Sequence, residues 1–494
     1  MAELQDYSGT AGSNNSASPD GWPENMAPSG VNNSDRELAA RIARERDDTQ
    51  GVTATGGSSN AYTFAATRDT TAAYTGELFV FRANHTNDGA ATINITPAGG
   101  SARGAVAIQR DGQALTGSEI VSGGVYMVVY DGTQYQLLGA SVDSLGSLTG
   151  RSLNINGAME VDQRSGETRT NIATAAYHID QWKYSPSGSP TGRFTLANEA
   201  VASLGVGGSI KCTVTTEDAA LAADALYMWE TMIEAKDLQH LNYGQADAKD
   251  ITVSFWADAP AGNYTFKALS QDASRTYVTA FALAGSGLEK VTITVPGDTS
   301  GGITNDNGRG LQLSWTMAGG SNFQGGTTDA WTAEANNTYA AGNNVNMFDT
   351  NTNVFQLAKV KVEVGSVATD FEHEGIGITR AKCQRYYERH TFDAVSGQQI
   401  AVARIQTTAS TTLGFQFLVE KRSAPTITFT AADTFALQYD GTTSSNLSSI
   451  SADHITTKQC RVVPSVSSGL TVDEAAMWTR DGTDTAYMEI EAEL

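Results

Sequence analysis

Between Arg151 and Gly375 the chain reads as a succession of short runs in which apolar residues alternate with smaller or more polar ones. The runs are Ile251 to Trp256, Tyr264 to Leu269, Tyr277 to Leu283, Val291 to Val295, Leu311 to Trp315 and Val354 to Val364. A period of two is the strand period, and the intervals are filled by Gly, Asn, Asp and Pro, the residues that turns use. About 200 residues of short strands without intervening amphipathic helices have few ways to bury their apolar faces, and a two-sheet sandwich of jelly-roll type is the architecture they favour. One helical island is read at Asp218 to His240, although its apolar residues are patchy.

The rest of the chain divides around this block. At roughly 100 to 200 residues per domain, 494 residues imply about three or four compact units. From Gly51 to Ala140 the pairs Phe79/Phe81, Ile93/Ile95, Val106/Ile108 and the run Tyr126, Val128, Tyr130 alternate, which predicts a small antiparallel β-sandwich. The polar stretch SVDSLGSLTG lies within an expected linker over residues 141–152, followed by the jelly-roll domain over 153–378. Residues 379–390 are expected to form a short helix with Cys383, Tyr386 and Tyr387 on one face, a stripe too short to bury itself within one chain. A C-terminal β domain over 391–494 ends in a strand with Met488, Ile490, Ala492 and Leu494 on one side and Tyr487, Glu489, Glu491 and Glu493 on the other.

Residues 1–50 behave differently. The first thirty or so are rich in Ser, Gly, Asn and Pro and cannot offset the entropy of ordering, so alone they are expected to be mobile. Trp22, Pro23 and Met26 interrupt that polarity, as in a peptide that docks on something else. Ser34 and Glu37 have the spacing of a capping box that opens a helix, and Leu38 and Ile42 form its apolar stripe. The helix ends at Asp47 and Asp48, which oppose its macrodipole, so its stability should depend on neighbours.

Charge excludes several functions. With 54 acidic against 32 basic residues and a net charge of -22, a partner gripped through phosphates is disfavoured, which argues against nucleic acid and anionic membrane. No apolar run approaches the length of a membrane span, and the start MAELQDYSG lacks the regions of a signal peptide, so a soluble, unexported chain is expected. Three widely spaced cysteines, Cys212, Cys383 and Cys460, read as reduced and buried, as in a chain made in a reducing cytoplasm.

No constellation reads as catalytic, and no cofactor or metal is expected. Glu372 and Glu374 alternate as two acids on one strand face, but any exposed strand with two glutamates does so, and a solvated strand end is the plainer reading. Asp298, Asn305, Asp306 and Asn307 offer calcium-type oxygens without the order of an EF-hand loop. The six histidines have no nucleophile signature around them, and no phosphate-binding fingerprint opens a helix. Among the aromatics, Trp256 is expected in the core. Trp331, Tyr439 and Trp478, beside turn residues, are the candidate receptor contacts, because aromatic faces stack on the C–H faces of sugars.

The blocks LNINGAMEVDQR, AAYHIDQWKY, ITVSFWADAPAGNYTFKAL, VTITVPGDTSGG, GLQLSWTMAGGS, VFQLAKVKVEVGSVATDFEHE and CQRYYE, in this order from Leu153 to Glu388, resemble the jelly-roll domain recurrent in bacteriophage tail fibres. ENMAPSGVNNSDREL is similar to the virion-proximal arm of such fibres, and the domain ending VVYDGTQYQLL resembles the module that commonly follows it. The C-terminal hundred or so residues carry no such resemblance, and Asp370 and Glu374 stand where the family tends to have Pro and Arg. The resemblance implies a homotrimeric, non-enzymatic virion protein made in the host cytoplasm. Its N-terminal arm would join a phage tail or connector protein through Trp22, Asn25, Met26, Leu38 and Ile42, and its distal β domains would recognise a host-surface glycan or protein. A head fibre or capsid decoration protein and a capsule depolymerase are the alternatives.

Overall fold

The computed structural model describes residues 3–8, 10–110, 112–115, 117, 119–138, 152–164, 169–392, 397–441, 443–481 and 486–494. The chain is mainly β and separates into two compact units, Met1–Gly146 and Ser147–Leu494. Most of the expected linker, residues 141–151, lies outside the described residues.

In the first unit, helix α1 spans Pro28–Thr49 and so begins a turn and a half before Ser34. Pro28 opens it, since the missing proline N–H costs nothing at a helix start. Ser34 is therefore interior, and its hydroxyl donates to the Gly21 carbonyl at 2.7 Å instead of capping. The arm packs against its own chain. Glu3 accepts hydrogen bonds from Arg44 at 3.0 Å and from the Asp69 backbone at 3.1 Å, Trp22 donates to Asp35 at 3.1 Å, and Arg41 pairs with Asp20. Charge-assisted hydrogen bonds, which composition does not register, order this polar segment. The acids that should weaken the helix end are likewise compensated. Asp48, fully buried, accepts from Arg68 Nε at 2.8 Å and from the Thr67 backbone at 2.7 Å.

The β part of this unit is one sheet in the order Gly56–Ser58, Ala61–Ala65, Ala91–Thr96, Ala105–Arg110, Tyr135–Leu138, Val125–Tyr130, Leu78–Arg82. Two neighbour pairs run parallel, Ala61–Ala65 with Ala91–Thr96 and Ala105–Arg110 with Tyr135–Leu138, where alternation alone implied antiparallel pairing throughout. The sheet curls back on itself, because Ala54, just before its first strand, bridges Arg82 in its last. Phe64, Phe79, Phe81, Ile93, Ile108 and Val128 fill the interior.

The second unit contains the expected two-sheet sandwich. A seven-stranded sheet runs Trp331–Ala333, Arg275–Leu283, Gly262–Ser270, Arg309–Gly319, Leu226–Glu234, Trp182–Tyr184, Ala176–Ile179. It faces a five-stranded sheet of Arg193–Asn198, Ile210–Thr216, Val354–Val364, Ile251–Asp258 and Glu289–Val295 across a core that includes Trp182, Trp229, Phe255, Phe266, Trp315 and Phe355. The helical island at Asp218 to His240 is not a helix over most of its length. Leu226–Glu234 is a central strand buried at all nine positions, followed by the 3-10 turn Ala235–Leu241. A strand covered on both faces loses its alternation, and this one therefore imitated a buried helix. Trp256 is also corrected: Phe255 points into the core, so its neighbour points away and is half-buried on the opposite face.

The short helix, α2, spans Ile376–Gln384, and Tyr387–Phe392 is already a strand. That strand joins Ala486–Glu491 and Thr426–Phe429 in a three-stranded sheet. The remaining strands of the C-terminal domain form a seven-stranded sheet around Phe435, Leu437, Val462 and Trp478. Met488 and Ile490 are buried and Tyr487 and Glu489 are not, as alternation predicted. Cys383, Tyr386 and Tyr387 need no second chain to cover them. Tyr386 donates to Glu234 at 2.8 Å and Tyr387 to Glu489 at 2.5 Å, and all three side chains are buried within this chain. All three cysteines are free and buried, and burial pushes the Cys460 thiol up to about 12. No described helix is long and apolar enough to cross a membrane.

Candidate functional site

The sandwich's seven-stranded sheet has an unusual outward face. Along Leu226–Glu234, Arg309–Gly319 and Gly262–Ser270, one set of alternate residues supplies the core: Tyr227, Trp229, Leu313, Trp315, Tyr264 and Phe266. The other set points away from it. Register places Lys183 opposite Glu230, Glu230 opposite Ser314 and Ser314 opposite Lys267, a row of polar side chains across four adjacent strands. Such residues normally sit in water on the solvated face of an antiparallel sheet. Here Glu230, Ser314 and Lys267 are buried, while Lys183, Arg309 and Tyr339 at the margins are half-buried.

The row is held by hydrogen bonds that leave some capacity open. Glu230 accepts from Ser185 Oγ at 2.5 Å and from Gln312 Nε2 at 2.6 Å, and Lys183 Nζ lies 3.7 Å from it. Arg309 donates to Gln312 Oε1 at 2.7 Å. Lys267 Nζ lies under the Tyr339 ring at 3.2 Å from its centre and 3.8 Å from Glu334 Oε1, with the Tyr339 hydroxyl donating to Glu334 at 3.0 Å. Burial pushes the Lys267 ammonium down to about 8, opposed by the charges of Glu334 and Glu230. Among the described residues the buried Ser314 hydroxyl has no hydrogen-bond partner, and Lys267 Nζ has none beyond its long contact with Glu334. A buried polar atom left so costs about 1–3 kcal/mol, which a ligand or water offering complementary groups would recover. Donors and acceptors alternate with the apolar side chain of Met232 over a few ångströms, a pattern that suits a neutral, polyhydroxylated ligand.

The aromatic residues selected from sequence lie elsewhere. Trp478 is fully buried between Phe392 and Phe435, and Tyr439 is buried with its hydroxyl 3.1 Å from Ser445 Oγ, so both are corrected from surface contacts to core residues. Nearby turn residues had implied exposure, but both side chains point into the domain. Trp331 is half-buried, packs against Tyr243 and Tyr277, and donates to the Pro296 carbonyl at 2.6 Å. Of the anchoring set, Asn25 and Ile42 are exposed, while Trp22, Met26 and Leu38 are half-buried on the chain's own helix and arm.

The other candidates are tied up locally. Glu372 lies 3.6 Å from Lys361, and Glu374 accepts from Lys382 at 2.5 Å and from Thr379 at 3.0 Å. These acids are not in a strand. Asp298 accepts from Arg275 at 2.7 Å, Asp306 from the Gly308 backbone at 2.7 Å, and Asn307 donates to the Arg422 carbonyl. Among the described residues, no three His, Cys, Asp or Glu side chains could together hold a metal ion.

Sequence reasoning missed Glu230, Lys267, Gln312 and Ser314. The signal was present as charged or amide residues inside otherwise apolar strands, in MWETM, TFKAL and LQLSW.

No protein-family model matches this chain, and no curated protein is significantly similar to it. Among solved structures, the bacteriophage CBA120 tailspike protein 4 enzymatically active domain is similar over 43% of this chain and 21% of its own, with 10% identity and a TM-score of 0.24. The chain thus spans about a fifth of that domain's length. The family 11 carbohydrate-binding module of the cellulase Lic26A-Cel5E of Clostridium thermocellum is covered over 97% of its length by 42% of this chain, at 12% identity and a TM-score of 0.21. The CBM22-1 xylan-binding domain of Paenibacillus barcinonensis Xyn10C is covered over 94% by 40% of this chain, at 10% identity and a TM-score of 0.20. Scores this low assign neither a site nor a ligand.

Proposed function

We propose that this chain is a non-enzymatic receptor-binding fibre subunit of a phage particle, and that its sandwich domain recognises a host-surface glycan. The observation that carries the reading is the row Lys183, Glu230, Ser314 and Lys267, in which charged groups are retained inside a sheet where apolar residues would fold more easily. Hydroxyl groups of a sugar donate to Glu230 and accept from Lys267 and Arg309, while Met232 contacts its C–H faces. The lysines facing Glu372 and Glu374 support a binding rather than a hydrolytic role for those acids.

Attachment is through the N-terminal region, and the protein is a homotrimer assembled in the host cytoplasm, as the tail-fibre resemblance implies. Helix α1 supports this reading in a specific way. It turns Ser34, Arg41 and Asp48 inward and leaves Val31 and Ile42 exposed, so part of its apolar stripe faces away from its own chain. Together with Asn25 that surface is available to a tail or connector protein, or to a neighbouring copy.

The test is competition. Purified full-length chain should block adsorption of the phage that carries it, and soluble polysaccharide from the same host should relieve the block. Blocking that survives host deglycosylation would remove the glycan reading and leave a protein receptor.

A further inference from the structure

The C-terminal domain meets the sandwich at two charged contacts along one seam. At the first, Glu234 accepts from Arg385 at 2.6 and 2.8 Å and from Tyr386 at 2.8 Å, so that one acid meets one cation. At the second the charges do not match. Glu493, two residues beyond Ala486–Glu491, accepts from Arg164 Nη2 at 2.9 Å, and Asp180, just after Ala176–Ile179, lies 3.7 Å from Nη1 of the same guanidinium. The side chains of Glu493, Arg164 and Asp180 are 6%, 5% and 1% exposed. Two buried carboxyls therefore share one buried guanidinium.

The groups packed around them supply no second positive charge. The Arg164 guanidinium lies over the Tyr387 ring at 3.5 Å from its centre and over that of Tyr177 at 5.6 Å. Cys383 of α2 is fully buried in the same cluster, where burial pushes its thiol up and keeps it neutral, and Glu374, which also faces it, is paired with Lys382 at 2.5 Å. Glu491 adds a further acid on Glu493's own strand. Arg422 is committed to backbone, donating to the Ala492 carbonyl at 2.6 Å and to the Glu493 carbonyl. Asp180 is the better solvated acid, since it accepts from the Gln163 backbone at 2.6 Å and from Gln163 Nε2 at 2.9 Å, whereas Glu493 accepts from Arg164 alone among the described residues. With both acids ionised the cluster holds a net negative charge out of water, and a proton on Glu493 removes it.

We propose that this cluster is a proton-operated latch: while Glu493 holds a proton the C-terminal domain stays docked at Arg164, and when the proton leaves, that end of the seam opens while Glu234, Arg385 and Tyr386 hold the other end as a hinge. Burial pushes the Glu493 carboxyl up to about 7, and in the open form water returns it towards its ordinary value near 4.5. The docked form binds the proton more tightly, so docking is strongest below about 4.5 and weakens by about ten-fold per pH unit up to about 7. At the hinge, burial opposes ionisation of Glu234, but the hydrogen bonds from Arg385 and Tyr386 outweigh it and hold the carboxyl below its ordinary range, so that contact keeps its charge through the window. Tyr177 donates to the Leu494 carbonyl at 2.9 Å and lies 3.3 Å from Met232 Sδ, so the latch adjoins the candidate glycan row, but it does not depend on the glycan reading.

Cys383 is the reporter, because it becomes reachable when the latch end opens. The full chain is labelled with a pyridyl disulfide from about pH 5 to about pH 8, each rate is divided by that of the urea-unfolded chain at the same pH, and the modified cysteines are located by mass spectrometry. The ratio for Cys383 should rise by about ten-fold per pH unit up to about pH 7 and then level off, while the ratios for Cys212 and Cys460 stay flat. Glu493→Gln cannot ionise and should keep the Cys383 ratio at its low-pH value throughout. Asp180→Asn, which leaves one acid to one guanidinium, should flatten the rise as well and stands in if the first variant misfolds. A wild-type ratio that is flat or falls with pH, no labelling of Cys383 by about pH 8, or a rise that either folded variant keeps would overturn the proposal. So would equal rises at all three cysteines, which would report loss of the whole fold and not the opening of one seam.

Discussion

At the scale of single residues, the molecule keeps charges where they cost stability. Lys267 lies at the centre of the candidate site with its ammonium depressed to about 8 by burial. Lys267→Met should leave the unfolding midpoint unchanged or raise it, because an apolar isostere avoids the desolvation penalty, yet it should weaken glycan binding. Parallel denaturation and binding titrations check both halves. Glu493 offers a pH test. Its carboxyl is pushed up to about 7 by burial, against the opposing charge of Arg164 at 2.9 Å. The folded state therefore favours the protonated form, so the stability this group contributes is fully present below its ordinary value near 4.5 and is lost as pH rises to about 7. Denaturation across that window should show wild type falling more steeply than Glu493→Gln; identical slopes would reject the assignment. Such residues are hard to read from sequence. Lys267 and Glu230 were visible as interruptions of apolar runs, but which face they occupy depends on the register of three strands, and Trp478 and Tyr439 show that proximity to a turn does not specify exposure.

At the scale of elements, alternation revealed strands on a single buried face and failed where both faces are covered. Ala486–Glu491 was legible for the first reason, and Leu226–Glu234 was mistaken for helix for the second. Helix α1 was legible as a helix, but its contacts were not, because its inward side is polar. Long-range pairs hold it, above all Asp48 with Arg68, whose side chains are 0% and 1% exposed. Asp48→Ala strands the Arg68 charge and should cost about 3–5 kcal/mol of local stability. Hydrogen exchange should show it as loss of protection over Pro28–Thr49 with the sandwich unaffected. Retained protection there would mean that the helix is held by something other than this pair.

At the scale of the whole molecule, the sandwich and the C-terminal domain are joined by a polar seam within one unit. Glu234 accepts from Arg385 at 2.6 and 2.8 Å, Gln163 Nε2 donates to the Tyr387 carbonyl at 2.8 Å, and Tyr177 donates to the Leu494 carbonyl at 2.9 Å. Arg385→Ala leaves Glu234 buried without its cation. The cost should be about 2 kcal/mol, less than for a fully enclosed pair because the Arg385 side chain is 30% exposed. Calorimetry should then resolve two transitions in place of one. A net charge of -22 disfavours anionic surfaces, so the proposed glycan recognition rests on directed hydrogen bonds and not on bulk attraction. The central claim is that the row on the sandwich sheet binds host glycan, and the most direct measurement is a titration of host polysaccharide fragments into wild type, Glu230→Gln and Gln312→Ala. The account predicts saturable binding by wild type and losses of about 10- to 100-fold in both variants at unchanged fold, the range expected for hydrogen bonds to a charged group. Equal affinity in all three proteins, or no binding by any, would contradict it.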